Sequence, residues 1–227
     1  TPSDELSDDR ERTKRKRAAT LAGLGRFQFD LFALGKIPGR PLVYWWHTEK
    51  LRAYIDSPKL GDRAYAREGL GTKNDPRYTR FPWEIRCADL FLSAYPTSLK
   101  VTPETPWVPF IMGAAGREWF EAVDAVVDWH AFGVRIAQYS KSRFGRGARE
   151  YFRQGIAVAT IGQGFSARLH RFSSIVGHAG TSVFAQDSEL GLLLCQMNKS
   201  KARSDATDFN PKGFQICDIV RLPLNEE

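Results

Sequence analysis

The chain has 227 residues, of which 42% are hydrophobic and 12% aromatic, enough to bury one good core or two small ones. Its net charge of +7 predicts a polyanionic partner, because cationic side chains gain free energy by displacing counterions condensed on nucleic acid. No apolar run approaches the roughly 20 residues of a membrane helix, and the start of the chain is charged. We therefore expect a cytoplasmic protein without a transmembrane span or signal peptide. Cys87, Cys195 and Cys217 are few and far apart, which predicts reduced structural thiols.

The first 20 residues carry acidic side chains first and basic side chains last, an order that suits a helix dipole. We interpret residues 1–35 as a charged helical connector to a domain further upstream; a basic arm lying on phosphate is the alternative. The apolar run Leu42–Trp46 then predicts a buried strand, or the entry to a helix over residues 47–55, and in either case core.

Residues 57–83 are rich in Gly, Pro, Asn and Asp, which is typical of consecutive turns that present polar side chains. The stretch Gly69–Arg80 is a candidate recognition loop. The proline-rich segment Pro96–Pro109 predicts a crossing segment between elements. After it, Arg117–Trp129 places Trp119, Phe120 and three valines at helical spacing, which predicts an amphipathic helix.

The region from Arg135 to Arg171 is the most basic part of the chain, with eight Lys or Arg residues against the single acid Glu150. Its glycines and short apolar runs predict short antiparallel strands between about residues 150 and 185. Helices over about 117–138 and 187–205 would pack on them, the second capped by Asp187 or Ser188 and burying Leu190, Leu193, Leu194 and Met197 on one face. The expected fold class is α+β.

Catalytic and cofactor motifs are not evident. The four histidines lack metal-ligand spacing, and Gly162-Gln163-Gly164 does not continue into a phosphate-binding fingerprint. Asn210-Pro211-Lys212-Gly213 lacks the second proline and the aromatic residue with which adenine methyltransferases hold a flipped base. We therefore predict neither a metal nor a cofactor in this chain, and no catalytic residue.

An ordered series of segments carries a family resemblance across most of the chain. The segments are Lys36–Gly39 with Val43–Trp45, Glu68–Thr72 with Arg77–Arg80 and Trp83-Glu84, Trp107–Trp119, Tyr151–Arg153 with Gly155-Ile156, Gly164–Arg168, Gly180–Phe184, Leu193–Asn198, Asn210-Pro211 with Phe214-Gln215, and Asp218–Pro223. This series resembles the C-terminal target-recognition region of the PglX-like adenine-specific DNA methyltransferases of BREX phage defence, and of related type IIG enzymes.

The resemblance implies a target-recognition region over residues 36–227, with a division into lobes 36–135 and 136–227 left open. Such a module reads a short asymmetric DNA sequence for a methyltransferase domain that transfers a methyl group from S-adenosylmethionine to adenine N6. That domain is expected outside these 227 residues, either in the same polypeptide or in another one. Expected partners are double-stranded DNA, the methyltransferase domain, other defence-system subunits, or a phage protein that imitates DNA.

Side-chain chemistry suggests how the site residues divide. Lys141, Arg143, Arg146 and Arg149 would neutralise phosphates and set the register on DNA. Base reading would fall to groups that make paired hydrogen bonds in the major groove; the candidates are Lys73, Asn74, Arg77, Arg80, Arg168 and Arg171. His170 is also expected on the DNA-binding surface. Arg168 and Arg171 could instead pair with carboxylates such as Asp187, and Asn74 could be a turn residue.

Two other classes of protein remain open at this point. A free-standing DNA-binding specificity subunit or regulator would share the basic surface without a linked enzyme. A nuclease would need a metal site of unfamiliar spacing. A basic face that serves only solvation is the simplest alternative to all of these.

Overall fold

A computed structural model describes residues 2–24, 28–93, 106–113, 117–160 and 164–224. The chain divides into two compact units, residues 1–52 and residues 53–227. This boundary falls beyond residue 35, where the sequence predicts that the connector ends. Much of the proline-rich segment Pro96–Pro109, and most of Gly162–Gly164, lie outside the described residues.

The described elements are mostly short. The α-helices are α1 (Pro2–Leu21), α2 (Leu31–Gly35), α3 (Thr48–Asp56), α4 (Leu60–Arg63), α5 (Asp75–Tyr78), α6 (His130–Ala137), α7 (Asp187–Asn198), α8 (Ser200–Phe209) and α9 (Ile216–Val220). Short 3₁₀ helices span Pro82–Glu84, Cys87–Asp89 and Arg146–Glu150. The strands are β1 (Tyr65–Arg67), β2 (Leu70–Gly71), β3 (Thr79–Arg80), β4 (Trp107–Ile111), β5 (Trp119–Phe120), β6 (Val126–Asp128), β7 (Arg143–Phe144), β8 (Ile156–Val158), β9 (Ala167–Leu169), β10 (Ile175–Val176) and β11 (Ser182–Phe184).

The first unit begins with α1, which confirms the helix predicted from the charge order. Its side chains from Asp8 onward are almost all exposed, so this part of the helix has no buried face. Local ion pairs join Lys14 to Glu11, at 3.0 Å, and Arg15 to Asp8, at 3.7 Å. Exposed pairs of this kind stabilise a helix by only about 0.3–0.5 kcal/mol each.

The helix predicted over residues 47–55 is confirmed as α3, and residues 42–46 form the turn that leads into it, so the alternative of a buried strand is wrong. The expectation that the whole run belongs to the core is also wrong. Val43 and Trp46 are buried, but Leu42 is 67% exposed. The backbone explains the difference, because the Val43 N–H donates to the Pro41 carbonyl (3.0 Å) and the Trp46 N–H donates to the Val43 carbonyl (2.9 Å). In a strand, these two backbone N–H groups would donate hydrogen bonds to an adjacent strand instead.

The second unit contains two larger sheets. One has the strand order β1-β11-β8-β9-β5, antiparallel except for the parallel pair β5–β9. The other has the order β10-β4-β6-β3, antiparallel except for the parallel pair β10–β4. Both sheets draw strands from before and after residue 135, so residues 53–227 do not separate into lobes there. The predicted α+β class, with mostly antiparallel strands, is confirmed.

The predicted helix over Arg117–Trp129 is wrong. Trp119 and Phe120 form the edge strand β5 and are exposed, and Val126 and Val127 lie in β6, a central strand of the second sheet. The β-branched valines fit a pleated sheet buried on both faces, and this tertiary pairing overrides their helical spacing. The helical element of this region, α6, begins only at His130, and because Ala131, Phe132 and Gly133 have left-handed backbone angles its regular right-handed part follows Gly133.

The predicted helical region over residues 187–205 is confirmed as α7 and α8, which are interrupted at Lys199. The N-cap of α7 is Gln186 rather than Asp187 or Ser188. The expected apolar face of α7 is buried, from Leu190 to Met197. At its end the Asn198 side chain donates to the Ala167 carbonyl (2.9 Å) and accepts from the Ala167 N–H (3.1 Å), so this amide ties the helix to β9.

The three cysteines are free thiols at the protein surface, not core residues. Within the described residues, no helix is both long and apolar enough to cross a lipid bilayer.

Candidate nucleic-acid interface

Two basic segments that are far apart in sequence meet at the small sheet formed by β2 and β7. The antiparallel register places Gly71 opposite Arg143 and Leu70 opposite Phe144. The turn that follows β2 contains Lys73 and Asn74, and the segments on either side of β7 contain Lys141, Arg146 and Arg149. The sheet therefore joins the candidate recognition loop to the residues that the sequence predicts as phosphate contacts.

Glycines let the loop after β7 pack closely against the connection between β1 and β2. The Gly147 N–H donates to the Glu68 carbonyl at 3.0 Å. A Cβ built on Gly147 would lie 2.5 Å from that carbonyl oxygen, and one built on Gly145 would lie 2.8 Å from it. Since real Cβ atoms essentially never approach so closely, glycine at both positions is a requirement of this packing.

The surface at this junction carries cations without partners. Five exposed cations of these two segments make no hydrogen bond, ion pair or ring contact with any described residue: Lys73, Lys141, Arg143, Arg146 and Arg149. Glu150, the acid of this stretch, pairs instead with Arg153 at 3.1 Å. We call the five residues the basic surface. Their charge is not neutralised by neighbouring carboxylates and is available to an anionic ligand.

The recognition loop holds its side chains with different degrees of constraint. Lys73 has a φ of 56° and points its exposed side chain from a left-handed turn position that is uncommon for a non-glycine residue. Asn74 is half-buried at the start of α5, where its side chain makes no capping hydrogen bond. Arg77 is exposed and stacks over Tyr78 at 5.2 Å. Arg80 is fixed more firmly, because it donates to the carbonyls of Pro76 (2.8 Å) and Thr79 (2.6 Å).

Arg168 and His170 do not lie on the surface, which corrects their expected role as direct DNA contacts. Each is only 1% exposed. The Arg168 guanidinium forms an ion pair with Glu121, not with Asp187. His170 Nε2 lies 2.9 Å from Ser182 Oγ, and burial lowers the pKa of its imidazole to about 4. Both side chains are buried in the protein core beside the five-stranded sheet.

Arg171 remains accessible, since it is exposed on the segment after β9, where its guanidinium carbon lies 5.2 Å from the centre of the Phe172 ring.

A further arginine, Arg135, received no role from the sequence. It lines an open cavity of about 320 Å³ together with Arg77, Tyr78, Asp128, Gln138 and Tyr139. Sequence spacing gives no signal for this cavity, because its residues come from three elements and an irregular turn.

The described residues contain no group of three or more His, Cys, Asp or Glu side chains that could hold a metal ion. No oriented pair of nucleophile and base stands out beside the basic surface either. His178, the histidine nearest to it, lies 3.3 Å from Glu68 and is exposed. The exposed cations of the basic surface are suited to binding an anion.

Comparison with known proteins shows that this chain is similar to a part of larger adenine-specific methyltransferases. No protein-family model matches the chain. Over 203 residues it is 29% identical to a protein of Lacticaseibacillus casei (strain Zhang) named adenine-specific methyltransferase PglX, a match that covers 85% of this chain and 17% of that protein. Over 200 residues it is 24% identical to adenine-specific methyltransferase BrxX of Escherichia coli O9:H4 (strain HS), covering 83% of this chain and 15% of that protein. The chain thus spans about a sixth of the length of these relatives.

Proposed function

We propose that this chain is the DNA sequence-recognition part of an adenine-N6 DNA methyltransferase that serves a phage-defence system of the BREX or restriction-modification type. The observation that carries the proposal is the basic surface, whose five cations come from two distant segments and lack carboxylate partners. The similarity to part of two adenine-specific methyltransferases supplies the enzymatic context. Methyl transfer from S-adenosylmethionine would take place in a domain outside this chain, in the same polypeptide or in a partner.

Phosphate contacts fall to Lys141, Arg143, Arg146 and Arg149. Arg146 and Arg149 lie on the segment after β7 that Gly145 and Gly147 pack against Glu68, and Arg143 is held in β7 by its pairing with Gly71. Lys141 precedes β7, and all four side chains are exposed to solvent. Contacts to phosphate oxygens position a protein on the duplex and add affinity, but they do not discriminate between sequences.

Base reading falls to the adjoining recognition loop, with Lys73, Asn74, Arg77 and Arg80 as its candidates. Arginine matches the acceptors of guanine and asparagine matches the donor and acceptor of adenine; each paired contact is worth about 1–3 kcal/mol of discrimination. Arg171 remains a candidate on the surface, whereas the buried Arg168 and His170 are omitted from the contact set. Further partners within the proposal are the linked methyltransferase domain, other defence-system subunits and a DNA-mimicking phage protein.

The test is selection of bound sequences from a randomised duplex library at two salt concentrations. We expect a non-palindromic motif and an affinity that falls steeply as the salt concentration rises. The triple variant Arg143→Ala, Arg146→Ala, Arg149→Ala should bind more weakly to all sequences. Its slope of log K against log salt should be reduced by about 3, roughly one for each phosphate that the variant no longer neutralises.

A charge-matched control removes Arg52, Arg63 and Lys212, three exposed cations outside the basic surface. If the control weakens binding as much as the loop variant does, only overall charge matters and the basic surface is not the interface. If the unmodified chain binds no duplex in either salt concentration, the proposed function is wrong for this chain.

A further inference from the structure

An irregular turn after β6 brings an aspartate and an arginine together at the cavity beside the recognition loop. Asp128 ends β6, and Ala131, Phe132 and Gly133 then take left-handed φ values of 49°, 60° and 78°. This run reverses the chain so that Arg135 returns to Asp128. A Cβ built on Gly133 would lie 2.6 Å from the buried Trp129 ring, so glycine allows the turn to pack on that ring.

The carboxylate of Asp128 holds both ends of the turn. One oxygen, Oδ1, accepts the His130 N–H at 3.0 Å, and the other, Oδ2, accepts from Arg135 Nη1 at 3.3 Å. Asp128 is buried, whereas the Arg135 side chain is 63% exposed. The buried carboxylate therefore holds one nitrogen of a guanidinium that is otherwise mostly exposed.

Packing around the cavity restrains Arg135 further. The Tyr78 hydroxyl donates to the Arg135 carbonyl at 3.3 Å, and the Tyr78 and Tyr139 rings lie 6.0 Å apart between centroids. Arg77 and Gln138 line the same cavity and add exposed N–H donors. A concave site of about 320 Å³ thus offers several donors around one pre-oriented guanidinium.

We propose that Arg135, oriented by Asp128, reads a guanine of the bound duplex through the O6 and N7 acceptors of its major-groove edge. The inference rests on the proposed function and adds a base-reading residue outside the predicted recognition loop. A guanidinium presents two parallel donors that match these acceptors, and this match requires a fixed orientation. Phosphate binding would not require that orientation, and the adjacent Asp128 carboxylate would repel a phosphate.

The experiment applies the same library selection to the unmodified chain, to Arg135→Lys, Arg135→Ala and Asp128→Asn, and to the control Arg63→Lys. Arg135→Lys keeps the charge but loses the paired donors, so discrimination at one G·C position should fall by roughly 5- to 150-fold while other positions keep their preference. Asp128→Asn removes a negative charge, so affinity for unrelated sequences should rise or stay level while discrimination at the same position falls. Arg63→Lys, in α4, should leave the motif unchanged.

Other outcomes overturn the inference in recognisable ways. If Arg135→Ala lowers affinity for every sequence and reduces the salt slope by about 1, while Arg135→Lys keeps the motif, Arg135 contacts a phosphate. A motif that survives in Arg135→Lys with no other change shows that Arg135 has no role in reading. Thermal unfolding of each variant identifies any loss that comes from misfolding, and the exposed Arg135→Lys remains decisive if Asp128→Asn is unstable. If the unmodified chain has no sequence preference, the proposed function itself fails.

Discussion

Two groups of arginines in the region from Arg135 to Arg171 lie in contrasting environments. On β9, Arg168 is enclosed in the five-stranded sheet and paired with Glu121, and His170 lies nearby at the end of the same strand. Around β7, the arginines of the basic surface are exposed and have no partner within the described part of the chain. Arginines of a single basic region are therefore buried as part of the core at β9, and exposed and available to a ligand around β7.

The difference follows from the cost of removing a charge from water. A buried guanidinium needs a carboxylate partner, and burial raises the pKa of Glu121 even though the charge of Arg168 acts to lower it. An exposed arginine carries no such cost and can remain without a partner until a polyanion binds. Substitutions in the first environment should therefore change stability, and substitutions in the second should change binding.

The largest expected effect comes from breaking the buried ion pair. Glu121→Ala leaves the Arg168 charge without compensation and should lower the free energy of unfolding by about 3–5 kcal/mol. Urea unfolding followed by circular dichroism would measure it. The double variant Glu121→Leu, Arg168→Met removes both charges and should recover most of the loss. A loss below about 1 kcal/mol in the single variant would show that Arg168 does not depend on Glu121.

His170 should make the fold sensitive to acid. Burial, and to a smaller extent the charge of Arg168, lower its pKa from 6.5 to about 4 in the folded protein. The unfolded chain therefore binds a proton first, so stability is complete above about pH 6.5 and declines as the pH falls toward 4. The slope should be up to about 1.4 kcal/mol per pH unit.

The matching measurement is urea unfolding of the unmodified chain and of His170→Gln at pH 7 and pH 5. The free energy lost between these two pH values should be smaller in the variant by about 2 kcal/mol. Equal losses in both proteins would assign the acid sensitivity to other groups.

The smallest effect on stability is expected at the basic surface. Each of Arg143→Ala, Arg146→Ala and Arg149→Ala should change the free energy of unfolding by no more than about 0.5 kcal/mol, because the side chains are exposed and make no hydrogen bond, ion pair or ring contact with described residues. Urea unfolding of the three single variants would test this. A loss of several kcal/mol would place these arginines with Arg168 as structural residues and would remove the contrast between the two environments.

Some features of the fold could be predicted because they depend on local chemistry. The charge order of the first 20 residues was sufficient for α1, and the spacing of Leu190, Leu193, Leu194 and Met197 identified the buried face of α7. The same spacing rule failed at Arg117–Trp129, because pairing with β4, β3 and β9 decided the conformation there. Short strands satisfy their backbone through distant partners, which a local pattern does not reveal.

The candidate site divides in the same way. The sequence by itself determined that the chain is basic, that its cations cluster, and that its turns and glycines lie among them. Only the tertiary structure decided which cations are available, by burying Arg168 against Glu121, by pairing Gly71 with Arg143, and by reversing the chain after β6 so that Asp128 meets Arg135. Composition fixes how much charge a chain carries, but the cost of desolvation and the pairing of distant backbone segments determine where that charge faces water.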